Sequence, residues 1–216
     1  MSYERDAIQV LHDQIINEWR ISGREQFGSA VALNFDFPGR RFPVQTVIDS
    51  WSEEAVKDRR NIRIATWEGC PLGCSTCHAG LESVQNMFGV EQMFLQVAAG
   101  LLDEAVDLAS LKEFWVQTFG YGEPLQNSSL PDFAVMLHTA FPEVRLCVST
   151  TGPRSAKRVF QPLLAKVKAG DVFQISLHRT LHSERREFVR RTQLLEPAEL
   201  AAMVEPWHCL LYTSPS

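Results

Sequence analysis

The sequence has no run of about 18 apolar residues, the length that a membrane-spanning helix needs. It also has no apolar signal core near its N-terminus, where charged residues begin at Glu4. The net charge is −5, so the chain as a whole lacks the basic excess that marks nucleic-acid-binding domains. These absences predict a globular protein of the cytoplasm that has no membrane partner.

The character of the sequence changes near residue 61. Before that point we expect an N-terminal extension over residues 1–60, with a helix at 4–20 and irregular structure at 23–60 that includes an extended stretch at 30–37. From residue 61 to residue 206, short apolar strands alternate with helices, which indicates an α/β domain with a parallel sheet. The predicted strands are 61–67, 113–119, 144–150 and 171–177, and the predicted helices are 84–107, 129–141, 153–168, 183–191 and 197–204.

Each predicted strand ends in a polar or glycine-containing motif. Ligand sites of parallel sheets lie at the carboxyl ends of the strands. Four such motifs at one edge of the sheet therefore predict a ligand site there. The motifs occupy residues 70–77, 120–124, 149–152 and 176–178.

The first motif is a cysteine loop, EGCPLGCSTCHAG, in which Cys70, Cys74 and Cys77 are spaced as C-x3-C-x2-C. A loop of this length can present three thiolates to three irons of a cuboidal cluster, which leaves the fourth iron open for a ligand. Gly69 and Gly73 permit the tight backbone path that such a loop requires. The spacing therefore favours an iron–sulfur cluster.

Two other interpretations of the loop stay open. Thiolates are soft donors that suit zinc as well as iron–sulfur clusters, and His78 lies next to the third cysteine. The three cysteines could also be buried structural residues. The sequence contains five cysteines and no export signal, so metal binding or catalysis explains them better than disulfides do.

The cysteine spacing resembles the signature of the radical S-adenosylmethionine (SAM) superfamily, although Thr76 stands where an aromatic residue is usual. The resemblance implies a [4Fe-4S] cluster held by Cys70, Cys74 and Cys77. Its open iron would bind SAM, and reduction would cleave SAM to a 5′-deoxyadenosyl radical. An electron donor such as flavodoxin or ferredoxin is implied too, as is a partial (β/α) barrel with about four of the superfamily's six βα units.

A second string, FGYGEPLQN, resembles one subgroup, the radical SAM RNA adenine methyltransferases of ribosomal and transfer RNA. In that subgroup a carboxylate at the position of Glu123 holds the SAM amino group. The likeness extends to the strand ends VSTTG and ISLH. The SAM-binding residues that it implies are Gly122, Glu123, Ser149, Ser176, Leu177 and His178. Taken one by one, the same residues also fit a turn with a solvated glutamate, a strand-end cap and a buried histidine.

The sequence departs from this subgroup at Arg63, seven residues before Cys70, where those enzymes have one of the two catalytic cysteines of their methyl relay. No residue matches the second cysteine. The motifs thus predict a radical SAM enzyme with an unidentified substrate. RNA is a candidate because several arginines follow His178, although a solvated helix face explains them as well.

The alternative function is a non-catalytic iron–sulfur or zinc-binding protein. We also expect the radical SAM core, residues 61–206, to be incomplete at its C-terminal end. Residues 207–216 read as a tail that is not native to the protein.

Overall fold

The computed structural model describes residues 20–27, 30–36, 44–49, 59–74, 86–103, 113–118, 122–176, 189 and 193–205. Seven strands form one mixed sheet in the order β1-β2-β3-β4-β7-β8-β9, and two short strands, β5 and β6, form a second sheet. The strands are β1 (Arg20–Phe27), β2 (Ala30–Asp36), β3 (Val44–Asp49), β4 (Arg59–Arg63), β5 (Trp67–Glu68), β6 (Asn86–Met87), β7 (Glu113–Gln117), β8 (Val144–Thr150) and β9 (Val172–Ile175). The helices are α1 (Val90–Asp103), α2 (Leu130–Ala140), α3 (Lys157–Leu164) and α4 (Pro197–Val204).

Strands β4, β7, β8 and β9 are parallel neighbours in that order. This arrangement confirms the predicted α/β fold with a parallel sheet of four strands. Parallel strands need crossover connections, and α1, α2 and α3 lie in the three crossovers of this sheet. The alternation of apolar strands and amphipathic helices in the sequence is therefore the source of the topology.

One face of the parallel sheet packs on these helices. Its strands contribute side chains that are almost fully buried, such as Ile62, Val116 and Leu146. The helices contribute large aromatic rings to the same cluster. The ring of Phe160 on α3 lies edge to face with that of Phe173 on β9, with the two centroids 5.0 Å apart. This core fixes the carboxyl ends of the strands relative to one another.

The opposite face of the parallel sheet is more polar. Successive side chains of a strand alternate between faces, so the strand pairing places Arg63, Gln117 and Cys147 in one row across β4, β7 and β8. In the next row, Ser149 of β8 is paired with Gln174 of β9. In β9 the burial alternates residue by residue, as expected for a strand with one apolar and one polar face.

The N-terminal part of the sheet corrects one prediction. Residues 23–60 were expected to be irregular, yet β1, β2 and β3 are antiparallel neighbours that extend the sheet from β4. The expected extended stretch at 30–37 corresponds to β2. Phe27 pairs with Ala30, so two residues join β1 to β2, which is the length of a tight hairpin. Gly23 lies at a register shift within β1, where a glycine commonly marks a bulge rather than the end of a strand.

Several predicted boundaries also need correction. The strand expected at 61–67 ends at Arg63, and Trp67 belongs instead to β5, which pairs with β6. The helix expected at 84–107 begins only at Val90, and a 3-10 turn precedes α3. The predicted helices at 4–20 and 183–191 and the tail at 207–216 lie outside the described residues, apart from Arg20 in β1 and the single residue Val189.

Within the described residues, no helix has both the length and the apolar character that crossing a membrane requires.

Candidate functional site

The cysteine loop begins just beyond β5. Cys70 and Cys74 are thiols that are 6% and 8% exposed. They pack with the apolar side chains of Leu72, Val189 and Leu194. Cys74 also forms an isolated antiparallel bridge with Val189, so a segment far along the chain lies against the loop. Two of the three predicted ligands thus lie in a largely apolar setting that limits their contact with water.

The loop backbone has the shape that its glycines permit. Gly69 has φ of 78° and Gly73 has φ of 63°, values in the left-handed region that residues with a Cβ rarely adopt. Each of these glycines lies immediately before a cysteine, Gly69 before Cys70 and Gly73 before Cys74. Soft thiolate donors on a tightly turned loop suit a [4Fe-4S] cluster, and the residues present fit such a group. The third predicted ligand, Cys77, and the neighbouring His78 lie outside the described residues, so the full ligand set stays a prediction.

The second motif is held against the cysteine loop by Trp67. The indole Nε1 of Trp67 donates a hydrogen bond of 3.0 Å to the main-chain oxygen of Glu123. Gly122 has φ of 91°, and a Cβ added there would lie 2.4 Å from Cδ1 of the indole. Because Trp67 is only two residues before Gly69, this contact brings the two motifs to the same edge of the sheet. Glu123 therefore lies beside the strand that leads into the cysteine loop.

Glu123 is 2% exposed, and its carboxylate accepts four hydrogen bonds. Oε1 accepts from the Thr150 hydroxyl at 2.5 Å and from the Leu125 main-chain nitrogen at 3.2 Å. Oε2 accepts from the main-chain nitrogen and the hydroxyl of Thr151, each at 3.0 Å. We call this group of Glu123, Leu125, Thr150 and Thr151 the carboxylate cage. It ties the Gly122-Glu123 turn to the carboxyl end of β8.

Burial raises the pKa of the Glu123 carboxyl above its ordinary value of 4.5. The hydrogen bonds from Thr150, Thr151 and Leu125 act in the opposite direction, because they stabilise the ionised form. No lysine or arginine within the described part of the chain forms an ion pair with this carboxylate. The cage therefore holds an acidic group that lacks a cationic neighbour among these residues.

The two predicted serines lie at the same edge of the sheet. Ser149 is 7% exposed, and its hydroxyl donates a hydrogen bond of 3.2 Å to Oε1 of Gln174 on the neighbouring strand. Ser176 follows β9, and its main-chain nitrogen donates to the Thr150 oxygen at 2.8 Å. Leu177 and His178 lie outside the described residues. The assignment of all four residues to SAM stays a prediction.

Sequence reasoning missed three residues that build the site. Thr150 and Thr151 were part of the string VSTTG, but only Ser149 was selected from it, although the side-chain hydroxyls that donate to Glu123 belong to the two threonines. Asn127 was not selected from the string FGYGEPLQN. It is fully buried, and its Nδ2 donates to the main-chain oxygens of Thr66 at 2.8 Å and Phe88 at 2.9 Å. The one sequence signal was its place at the end of FGYGEPLQN.

The sequence comparisons agree with the motifs. A protein of Thermus thermophilus named "Probable dual-specificity RNA methyltransferase RlmN" is 29% identical over 223 residues, which cover 94% of this chain and 57% of that protein. A protein of Aromatoleum aromaticum named as a probable RNA methyltransferase is 27% identical over 172 residues, covering 78% of this chain and 46% of that one. The chain thus spans about half the length of these curated relatives. No known protein-family model matches it.

A structural comparison supports the fold. The crystal structure of a radical SAM methyltransferase from Sphaerobacter thermophilus superposes with a TM-score of 0.70 at 21% identity, and the match covers 92% of this chain and 58% of that one. At this identity the likeness concerns the fold alone. It agrees with a partial barrel built on the four parallel strands.

Proposed function

Because the chain is related to the radical SAM RNA methyltransferases, we propose that it is the cluster-binding and SAM-binding part of a radical SAM enzyme whose substrate is RNA. In this proposal Cys70, Cys74 and Cys77 hold a [4Fe-4S] cluster, which supplies the electron that cleaves SAM. A flavodoxin or ferredoxin delivers that electron, and the enzyme works in the cytoplasm.

The observation that carries the proposal is the shared edge of the sheet. The buried thiols of Cys70 and Cys74 and the buried carboxylate of Glu123 reach it from different strands, and Trp67 joins the two motifs. A simple electron-transfer protein or a zinc site has no use for an additional buried carboxylate beside its cysteines. A SAM-binding enzyme has one, because an acidic group can accept charge-assisted hydrogen bonds from the SAM ammonium.

The test is anaerobic reconstitution followed by measurement of metal, sulfide and 5′-deoxyadenosine. We expect about four irons and four sulfides per chain, because three thiolates and one open site fit a cubane. SAM and a strong reductant should then yield 5′-deoxyadenosine. One tightly bound zinc without acid-labile sulfide would instead support the alternative of a zinc protein, and a cluster that never cleaves SAM would support a non-catalytic iron–sulfur protein.

The role of Glu123 has its own test. Glu123→Gln removes the charge that would face the SAM ammonium, and hydrogen bonds to charged groups contribute roughly 1.5–3 kcal/mol. SAM affinity should fall by about ten- to a hundredfold, while the iron content stays unchanged because the carboxylate is not a metal ligand in this proposal. Glu199→Gln is the matched control, since Glu199 is a glutamate on α4 whose partner is the exposed Lys157.

Arg63 bears on methyl transfer. It occupies the strand position where the RNA methyltransferases have a relay cysteine, and it shares a row with Gln117 and Cys147. A guanidinium stays protonated and has no lone pair to offer, so it cannot replace a thiolate as a nucleophile. We therefore expect the protein to cleave SAM without methylating itself at Cys147 or elsewhere. A methylated cysteine found by mass spectrometry after incubation with SAM would contradict this part of the proposal.

A further inference from the structure

Glu123 and Asn127 lie at the two ends of one short turn. Glu123 precedes the 3-10 turn Pro124–Gln126, and Asn127 follows it. The main-chain nitrogen of Asn127 donates to the Pro124 oxygen at 2.9 Å, and its side-chain Oδ1 accepts from the Ser129 nitrogen at 2.8 Å. Asn127 is therefore held in a fixed place relative to Glu123.

The side chain of Asn127 also binds the segment that leads into the cysteine loop. Its amide has two N–H groups, which donate to the main-chain oxygens of Thr66 at 2.8 Å and Phe88 at 2.9 Å. Asn127 and Thr66 are both 0% exposed, so these bonds are shielded from water. An alanine at position 127 would supply neither donor.

A second bond runs in the opposite direction. Thr66 is followed by Trp67, whose indole Nε1 donates to the main-chain oxygen of Glu123 at 3.0 Å. We call these two bonds, from Asn127 to Thr66 and from Trp67 to Glu123, the double link. Because they attach both ends of the turn to two consecutive residues, they prevent the turn from pivoting. The double link thus fixes the place of Glu123 relative to the segment that enters the cysteine loop at Cys70.

On the premise that the protein binds SAM as proposed above, we propose that Asn127 and Trp67 are positioning residues for SAM. The proposed function holds SAM at two points, the open iron of the cluster and the Glu123 carboxylate. The spacing of two such points has to match the ligand, and in enzyme sites a misplacement of about 1 Å can cost about a hundredfold in rate. The double link sets this spacing, although Asn127 is itself too deeply buried to touch a ligand.

Each of the two binding points is otherwise built without the double link. The cysteines belong to one short loop, in which glycines set the backbone path. The Glu123 carboxylate receives its hydrogen bonds from Leu125, Thr150 and Thr151. Loss of the double link should therefore leave both points intact and change only the spacing between them.

The test measures SAM affinity by equilibrium dialysis on the cluster-loaded protein. Asn127→Ala removes the donors to Thr66 and Phe88, so SAM should bind about tenfold or more weakly than to wild type. Trp67→Phe keeps an aromatic ring and removes the indole N–H, so SAM should bind about three- to tenfold more weakly. Both variants should keep the iron content of wild type, because neither residue is a predicted metal ligand.

A double-mutant cycle with Glu123→Gln shows whether Asn127 acts through Glu123. If Asn127 acts by placing the carboxylate, its loss has little further effect once the charge of Glu123 is gone. The variant that carries both Asn127→Ala and Glu123→Gln should therefore bind SAM within about threefold of Glu123→Gln alone. Independent contributions would multiply instead.

The electron paramagnetic resonance spectrum of the reduced cluster gives an independent readout. SAM should change this spectrum, because SAM is a ligand of the open iron in the proposed function. At saturating SAM, the spectra of Asn127→Ala and Trp67→Phe should differ from that of wild type, since SAM is placed differently at the iron. Without SAM, the three spectra should be the same.

Two controls separate this effect from general damage. Leu137 is 0% exposed, like Asn127, but it lies in the last turn of α2, which precedes the start of β8. Leu137→Ala should lower stability and leave SAM affinity within about twofold of wild type. 5′-Methylthioadenosine contains the nucleoside and the thioether of SAM but neither its amino group nor its carboxylate. It should bind equally to wild type, Asn127→Ala and Trp67→Phe.

Each outcome decides the question. Weaker SAM binding, a non-additive cycle and unchanged binding of 5′-methylthioadenosine support the inference. Unchanged SAM affinity in Trp67→Phe, effects that multiply in the cycle, or identical spectra at saturating SAM overturn it and leave the proposed function intact. An equal loss of SAM affinity in Leu137→Ala, or a loss of cluster iron in Trp67→Phe, overturns it as well, because the effect would not concern spacing.

If Asn127→Ala does not fold, the same cycle with Trp67→Phe decides in its place. Cluster-loaded wild-type protein that does not bind SAM would overturn the proposed function, and the inference with it.

Discussion

The cysteine loop and the carboxylate cage lie at the same edge of the sheet, but they are built in different ways. The cysteine loop is local: its chemistry resides in a few consecutive residues, and its glycines set the backbone path. The cage is assembled from two segments, since Thr150 and Thr151 lie 27 and 28 residues beyond Glu123 in the sequence. A local site depends on its own side chains, whereas an assembled site depends on the fold around it. Substitutions in the two should therefore have different consequences.

The largest expected effect is on the local site. Cys74→Ala removes one predicted thiolate ligand, so the reconstituted protein should lose almost all of its cluster iron and acid-labile sulfide. The fold should survive, because the core that positions the strands does not include Cys74. Cys147→Ala is the matched control: Cys147 is also a buried thiol, but it lies within β8, and its loss should leave the cluster content unchanged. Equal iron content in the two variants would contradict the assignment of the loop.

The second-largest effect is expected at the contact between Trp67 and Gly122, which joins the two sites. Gly122→Ala places a Cβ 2.4–2.5 Å from atoms of Trp67 and forces alanine to adopt φ of 91°. The close contact and the unfavourable φ both strain the folded state. We therefore expect the free energy of unfolding, measured with urea, to fall by about 3–5 kcal/mol. Gly89→Ala serves as the control, because a Cβ there would approach no atom more closely than 3.9 Å. If the two alanine variants were equally stable, the contact between Trp67 and Gly122 would not be what joins the motifs.

A smaller loss is expected at Asn127. Asn127→Ala removes the amide that donates to the oxygens of Thr66 and Phe88 and accepts from the Ser129 nitrogen at 2.8 Å. Lost bonds to buried groups should lower the free energy of unfolding by about 2–3 kcal/mol. The neighbouring Ser128 is exposed, and Ser128→Ala should have little effect. Urea denaturation of the two variants compares them directly.

The smallest effect is a dependence of stability on pH. Burial raises the pKa of Glu123 in the folded protein above its ordinary value of 4.5. The contribution of Glu123 to stability is therefore fully present below pH 4.5 and is lost as the pH rises through the folded-state pKa. The stability advantage of wild type over Glu123→Gln should therefore shrink as the pH increases from 4.5.

Glu199 should show the opposite dependence of stability on pH. A hydrogen bond from Lys157 lowers the pKa of its carboxyl, so its contribution is present above 4.5 and is lost as the pH falls through the folded-state pKa. The difference in the free energy of unfolding between wild type and Glu199→Gln should thus grow with pH. The change should be smaller than the change for Glu123, because Glu199 is exposed. Denaturation curves at several pH values measure both slopes, and slopes of the same sign would contradict the account of the cage.

The same contrast between local and assembled features explains what the sequence alone could predict. The cysteine spacing and the alternation of strands and helices are local patterns, so the candidate cluster ligands and the order of β4, β7, β8 and β9 followed from them. The relation to radical SAM RNA methyltransferases came from the same short motifs. Local patterns also misled where breakers were frequent: residues 23–60, which contain Pro38 and Pro43, were expected to be irregular, while pairing between neighbouring strands produced β1, β2 and β3.

The cage could not be predicted, because a sequence does not reveal which hydroxyls a carboxylate will meet. Thr150 and Thr151 reach Glu123 only because β7 and β8 are paired in one register, with Gln117 opposite Cys147. Asn127 likewise has its partners in segments that lie 61 and 39 residues earlier. Such contacts follow from strand register, which depends on the whole core.

The place of the cysteine loop along the chain has a consequence for folding kinetics. The hairpin of β1 and β2 joins residues that are close in sequence, whereas β4 must find β7 across a long connection that contains both Cys70 and Cys74. Contacts between distant residues slow folding, because the loop has to close before the contact forms. A metal cluster bound within that connection would shorten the segment that has to close. Because the three cysteines span only residues 70–77 of that connection, the proposed cluster would accelerate the pairing of β4 with β7 only slightly.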